Sequence, residues 1–376
     1  MNILSAGKAQ TIVGLDIEAG SIAASEVTTN GGVKLGRTGI ADLAPGVTRE
    51  GEVTDPAALG DALKELFAAN KLARNVRVGV ASQKVMVRTM TMPRIEDKSE
   101  LETAIRFQAA DQVAMPLDNA VLDWQVLEPD ATTSASGQMK VVLVAARKET
   151  VGGLVEGVRA AGLRPVGIDV SAFAMLRALA PELPAISTAT PEISYEERMA
   201  AAGGAGEVAL PPPPARLFCA LGDVTNLAVA TGSTCLFTRV SNFGMEGIAQ
   251  RLAERRELTL EHARQWISHV GLEAELESID GEPEIAAATR EVLEEGARKL
   301  ADELRLSLDY YGTQDGAVAV EEIVFCGPGS AVTGLPENLA KELGYAMRVS
   351  RPAALAGLGD AEAARLTLSY GLGLDS

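Results

Sequence analysis

Asp16 stands at the end of an apolar strand in GLDIEAGSIAAS, residues 14–25. A carboxylate placed there, followed by a small-residue turn and a returning strand, looks at first like a phosphate-binding hairpin. The same stretch carries features that oppose this chemistry. Glu18 puts a second acid in the turn, and the returning strand offers Ala23 and Ala24 where a phosphate would want a cation. Two readings stay open from these residues alone, a working anion site or the shell of one. Further along, Gly327-Pro328-Gly329 follows an apolar strand, a turn that any tight strand-to-helix connection could use. Cys219, Cys235 and Cys326 lie far apart without a CxxC pair, and only His262 and His269 could supplement them. Reduced, buried thiols are expected rather than a zinc centre.

At 376 residues the chain exceeds one ordinary core, so two or more domains are expected. An apolar fraction of 47% with only 4% aromatic residues gives a soluble α/β or α+β profile. The net charge of −17 argues against nucleic acid and against docking on anionic lipid, and leaves a basic partner peptide open. With no signal peptide and no apolar run long enough to span a bilayer, the expected location is the cytoplasm, without direct membrane insertion.

The elements that must position these residues follow from periodicity. TIVGLDI, SIAASEVTT and VKLGRTGI read as a three-stranded meander, with Asn30-Gly31-Gly32 as its second turn. PAALGDALKELFAAN, residues 56–70, is an amphipathic helix with Leu59, Leu63 and Leu66 on one face, and NVRVGVAS is a strand. RLFCALG, DVTNLAVA and STCLFTRV repeat the meander in the second half of the chain, which points to two similar lobes. Residues 75–162 read as a strand–helix–strand–strand–helix insert. In it, Ser99-Glu100-Leu101-Glu102 forms a capping box and Leu101, Ile105, Ala109 and Val113 share a face. Residues 185–214, rich in Ala, Gly and Pro, read as a flexible linker, and residues 285–311 as the longest helix.

Several stretches together resemble PilM, the actin-like family of type IV pilus assembly, within the wider actin/FtsA/Hsp70 class. They are GLDIEAGSIAASEV, MPRIEDKSELETAIRFQAADQVAMPLDNAVLDWQVL, VLVAARKETVGGLVEGVRAAGLRPVGIDVSAFAMLRAL and LADELRLSLDYYGTQDGAVAVEEIVFCGPGSAVTGLPENLAKELG. The resemblance implies an α/β, actin-like fold of duplicated RNase H-like lobes with a small α+β insert in the first. Its expected bounds are 11–74 and 163–184 for the first lobe, 75–162 for the insert and 185–214 for the linker. The second lobe would take 215–350, and 351–376 would return to the first.

The resemblance also implies a site for ATP and Mg2+ between the lobes. Asp16 would hold the metal and Ser21 would lie in the first phosphate turn. Gly222, Asp223, Thr225 and Asn226 would form the second hairpin, and Gly327, Pro328 and Gly329 the adenosine-side turn. Five positions depart from the family pattern. Glu18 replaces the turn glycine, Ala23 stands at the lysine, and Ala220-Leu221-Gly222 replaces Asp-Ile-Gly. On the helix TLEHARQWISHVGL, Arg264 and Ile267 replace a glutamate and a lysine. One carboxylate at about 5 Å from a phosphate charge costs roughly 3 kcal/mol at an effective dielectric near 20. ATP use is therefore expected to be weakened or lost, with no matched cation to stabilise a transferred phosphoryl group.

The leading expectation is a cytoplasmic scaffold at the inner face of the cell membrane. It would hold the cytosolic N-terminal tail of a PilN-like inner-membrane protein, alongside other pilus assembly proteins. That contact would lie at the insert, through Met92, Pro93, Phe107, Met115, Pro116 and Asp123. The alternative is an active Mg-dependent ATPase that couples hydrolysis to pilus assembly. A membrane-anchored filament is disfavoured because the tail ARLTLSYGLGLDS is glycine-rich and short of basic residues.

Overall fold

The computed structural model of the chain describes residues 10–29, 31–127, 136–186, 213–314 and 316–375. Strands β1 (Gln10–Ile17), β2 (Ser21–Thr29) and β3 (Val33–Asp42) form an antiparallel meander, as the alternating apolar pattern requires. A two-residue pair, β4 (Thr48–Arg49) and β5 (Glu52–Val53), leads into helix α1 (Pro56–Asn70). Asp55 caps α1 by accepting from the Ala57 and Ala58 amides, and Leu59, Leu63 and Leu66 are buried. Strand β6 (Asn75–Val80) then pairs in parallel with β1.

The insert follows. Its sheet contains β7 (Val85–Pro93), β8 (Ala120–Val126) and β9 (Gln138–Arg147) in the order β7-β9-β8, covered by helix α2 (Lys98–Gln112). Leu101, Ile105, Ala109 and Val113 all face this small core. The cap of α2 differs from the capping-box expectation. Asp97, not Ser99, is the cap, because a carboxylate two residues earlier reaches the free amides of Ser99 and Glu100 at once. An Ile105→Ala substitution is expected to destabilise the insert by about 2–4 kcal/mol through the cavity it leaves. Hydrogen exchange should quicken in β7 to β9 while the lobe sheets keep their protection.

Helix α3 (Lys148–Ala160) packs on α1, strand β10 (Arg164–Val170) pairs in parallel with β6, and helix α4 (Ser171–Leu179) crosses toward the second lobe. The insert bounds of 75–162 therefore need correction. β6 belongs to the first lobe's sheet and α3 to its outer layer, leaving roughly residues 85–147 as the insert. The reason is that β6 and α3 present faces to β1 and α1, not to α2. Most of the expected linker, residues 187–212, lies outside the described residues, as does Asn30.

The second lobe repeats the plan with β11 (Ala215–Leu221), β12 (Thr225–Thr231) and β13 (Thr234–Ser241), then helices α5 (Met245–Arg256), α6 (Leu260–Val270) and α7 (Pro283–Gly312). Strand β14 (Val320–Cys326), helix α8 (Leu335–Leu343) and strand β15 (Ala346–Val349) complete it. The first sheet runs β10-β6-β1-β2-β3 and the second runs β13-β12-β11-β14-β15. Numbered within each lobe, both have the order 3-2-1-4-5, so the duplication inferred from the repeated meander holds at the level of topology.

Helix α9 (Asp360–Gly373) returns to pack on β1 and β2. Together α4 and α9 carry a core shared by both lobes, built from Ala23 and Val27 on one side and Phe218, Ala220, Ala228, Val324 and Cys326 on the other. Small residues let the two helices touch almost backbone to backbone. Gly371 lies directly against the Ala174 carbonyl. The insert also touches the second lobe, where β7 meets β13.

Candidate functional site

The turns that follow β1 and β11 occupy equivalent places in the two lobes, and they face one another across a cleft. Asp16 ends β1 opposite Ala23 of β2. Its carboxylate lies beside Gly79 of β6, near the Ser171 hydroxyl that opens α4. From the second lobe, Gly222 and Asp223 come forward on the turn between β11 and β12, with Asn226 behind them and Gly327-Pro328 alongside. The Asp223 carboxylate accepts the Ala19 amide across the cleft and its own neighbour's amide at Val224, both at 2.8 Å.

Six of the nine residues expected at a cofactor line this one cavity: Asp16, Gly222, Asp223, Asn226, Gly327 and Pro328. Three do not. Thr225 is buried and spends its hydroxyl on the Phe243 carbonyl at 2.7 Å. Gly329 packs on the Leu221 side chain. Ser21 supplies its carbonyl to the Glu18 amide, closing the first turn at 2.9 Å.

Three carboxyls gather where the lobes meet. Burial, reinforced by the neighbouring Asp223, pushes Asp16 up to about 7. Asp223 rises to about 6 by burial, opposed by the Ala19 and Val224 amides and assisted by Glu246. Glu18 is raised well above the carboxylate range, first by burial and then by Asp223 and Asp16, with Arg365 pulling the other way. Asp16 and Glu18 keep some free surface, which lines the cleft between the lobes.

Whether ATP and magnesium fit these residues depends on charge, space and unmet polar groups. The Thr48 and Ser171 hydroxyls and both ends of the Asn226 amide are buried without hydrogen-bond partners, and all three residues line the cavity. Buried polar atoms of that kind suit a polar guest or trapped water. The cavity, however, measures about 30 Å3. That is room for about two water molecules, whereas small-ligand pockets run from about 300 Å3 upward. Glu18 fills the space in front of Gly222, and no group of three or more metal-type side chains converges on one point among the described residues. In this closed arrangement the residues do not fit a triphosphate with its metal.

One cation was missed in the sequence. Arg365 of α9 lines the cleft, where its charge acts on Glu18. The first hairpin has no cation at the position the family pattern gives it, and the cleft takes one from the closing helix instead. The available signal was an arginine inside the otherwise apolar, small-residue run AARLTLSYGLGL.

At the insert, the six residues expected at a partner separate by burial. Met92 is 2% exposed and belongs to the insert core, and Met115 packs partly on that core. Pro93, Pro116 and Asp123 are exposed, and Phe107 is 77% exposed on the outer face of α2. Met92 packs in the insert core beside Leu101, Ile105 and Ala109 of α2.

The family model described as "Type IV pilus assembly protein PilM" matches residues 14–196 and 218–368. The chain belongs to the PilM family. Among solved structures it is similar to a chain of a PilM-PilN type IV pilus biogenesis complex, at 26% identity and a TM-score of 0.73, covering 96% of this chain and 97% of that one. The ethanolamine utilization protein EutJ from Carboxydothermus hydrogenoformans shares the fold at 13% identity and a TM-score of 0.51, covering 99% and 92%. MreB5 of Spiroplasma citri, solved bound to ADP, aligns at 12% identity with a TM-score of 0.48, covering 96% and 94%. The fold is thus actin-like, with two mixed α/β lobes and a small antiparallel insert sheet, as the PilM resemblance implied. Among the described residues no helix is long and apolar enough to cross a membrane.

Proposed function

We propose that this PilM-family protein is a scaffold of type IV pilus assembly, at the inner face of the cell membrane, that holds the cytosolic N-terminal tail of a PilN-like protein. The observation that carries the reading is the likeness, over nearly the whole of both chains, to PilM solved in a PilM-PilN complex. Two features of the chain support it. The insert exposes Phe107 on α2, Pro93 at the end of β7 and Pro116 in the loop after α2. The charge of −17 favours a tail that carries lysine or arginine. An extended tail gains main-chain hydrogen bonds and side-chain pockets, and such binding needs no catalytic acid.

A synthetic peptide of the N-terminal tail of a cognate PilN-like protein is expected to bind the full chain with a Kd on the order of micromolar, near 8 kcal/mol. Fluorescence anisotropy measures it. Phe107→Asp should weaken the complex about tenfold or more, while leaving the melting temperature within a degree or two because the side chain is exposed. No measurable binding of the cognate tail would remove this function.

The ATPase alternative has one observation in its favour, the partnerless Asn226 amide and Ser171 hydroxyl in the cleft. The closed volume and the three carboxyls stand against it.

A further inference from the structure

We propose that Glu18 and Arg264 form a latch that holds the two lobes closed without a ligand, with the Glu18 carboxyl seated on the second lobe's turn in the place an anion would take. The contact is made by three consecutive residues of the first turn, each touching a different part of the second lobe. The Glu18 carboxyl sits directly against Gly222. A methyl group there would lie 2.7 Å from Glu18 Cδ and closer still to one oxygen, and all three nearest atoms belong to Glu18. Ala19 donates its amide to Asp223. Gly20 lies under the Arg264 guanidinium, where a methyl group would be 2.5 Å from Cζ. Arg264 is in turn held by Glu246 of α5 through bonds of 2.8 and 3.0 Å, so it is a fixed wall and not a loose surface chain.

The positions that depart from the family pattern take up new work in this arrangement. Glu18 and Arg264 make the latch. Ala23 and Ala220 lie in the core shared by the lobes, and Ile267 is buried in the second lobe's own core. Four of the five thus sit at the junction between lobes. A carboxyl tethered to the first turn is always at high effective concentration for the second turn, so a free anion must compete with an intramolecular one. Asp16 and Asp223 repel an ionised Glu18, and Arg365 offsets part of that repulsion.

The test uses the full chain without ligand. Glu18→Ala is expected to raise amide hydrogen exchange in peptides spanning residues 17–24 and 221–227 about tenfold, with the lobe cores unchanged. Unchanged exchange at the second-lobe turn would overturn the latch. Gly222→Ala gives an independent reading because its clash is with Glu18 alone among the nearest atoms. It should lower the melting temperature in the wild-type background and have little effect in the Glu18→Ala background. Equal losses in both backgrounds would also overturn the proposal. Magnesium ATP added to Glu18→Ala reads a separate question. A new thermal shift absent from wild type supports competition for the cradle. With no shift in either protein, opening by Glu18→Ala still supports the latch and only the competing nucleotide is excluded. The latch rests on the lobe contact and stands or falls apart from the peptide reading.

Discussion

Stability against urea is expected to fall by several kcal/mol as pH rises from 5 to 7. The cause is the cleft. Asp16, Asp223 and Glu18 are all raised in the folded chain, so the folded state holds protons that the unfolded state has released. Groups of this kind contribute stability that is fully present below their ordinary range, near 4, and is lost as pH climbs through about 6 and about 7. Each proton retained by the folded state costs about 1.4 kcal/mol per pH unit over that window.

The charged groups facing the cluster are Glu52, Glu246, Arg264 and Arg365, of which Arg264 and Glu246 are already paired with each other. Glu52 and Glu322 work in the opposite sense. The Lys84 and Thr150 partners of Glu52, and the Arg216 and Arg348 partners of Glu322, hold these carboxyls below the usual range despite partial burial. Their contribution is lost as pH falls below about 4.5. The stability maximum should therefore lie near pH 5. Denaturation midpoints at half-unit intervals check the slope, and Asp16→Asn should flatten it. A flat profile for the wild type between pH 5 and 8 would refute the assignment.

Gly371→Ala should be strongly destabilising, because the methyl group falls where two helices cross. The added Cβ would run into the Ala174 carbonyl, 2.7 Å from its carbon, where α9 crosses α4. A carbonyl in a helix cannot rotate aside, so the two helices must part and open the core shared by the lobes. Overpacking of this sort costs about 1–3 kcal/mol or more, and 3 kcal/mol corresponds to a fall of roughly 6–12 °C in Tm for a lobe of this size. Gly357→Ala serves as the control, because nothing lies within 4 Å of its would-be Cβ. Differential scanning of the two variants side by side separates crowding at the crossing from any general cost of replacing glycine.

Most of the fold was legible because its strands and helices state their periods plainly. Helix α1 runs over residues 56–70 as read, and the repeated meander announced two lobes with one strand order. What the sequence could not state was partnership between distant segments. NVRVGVAS looks the same whether it pairs with the insert or with β1, and only the parallel register with Val13 to Leu15 decides it. The cleft shows the same limit more sharply. Asp16, Asp223 and Asn226 could be found from local motifs, but Arg365 reaches the site from a helix far away in sequence. Glu18 read as a repulsive charge because its contact with Gly222 spans more than half the chain. Isolated, it opposes a phosphate. Paired across the cleft, it occupies the phosphate's seat.

The touch between β7 of the insert and β13 of the second lobe has a consequence for how the molecule can behave as a whole. The insert grows from the first lobe, so this contact bridges the two bodies at a second point, away from the cleft. If the two lobes part, β7 must slide or lift from β13. A tail bound on the insert that favours one seating of β7 then shifts the balance between open and closed by that same preference. Linkage makes the effect mutual, so whatever opens the cleft changes the hold on the tail by an equal factor.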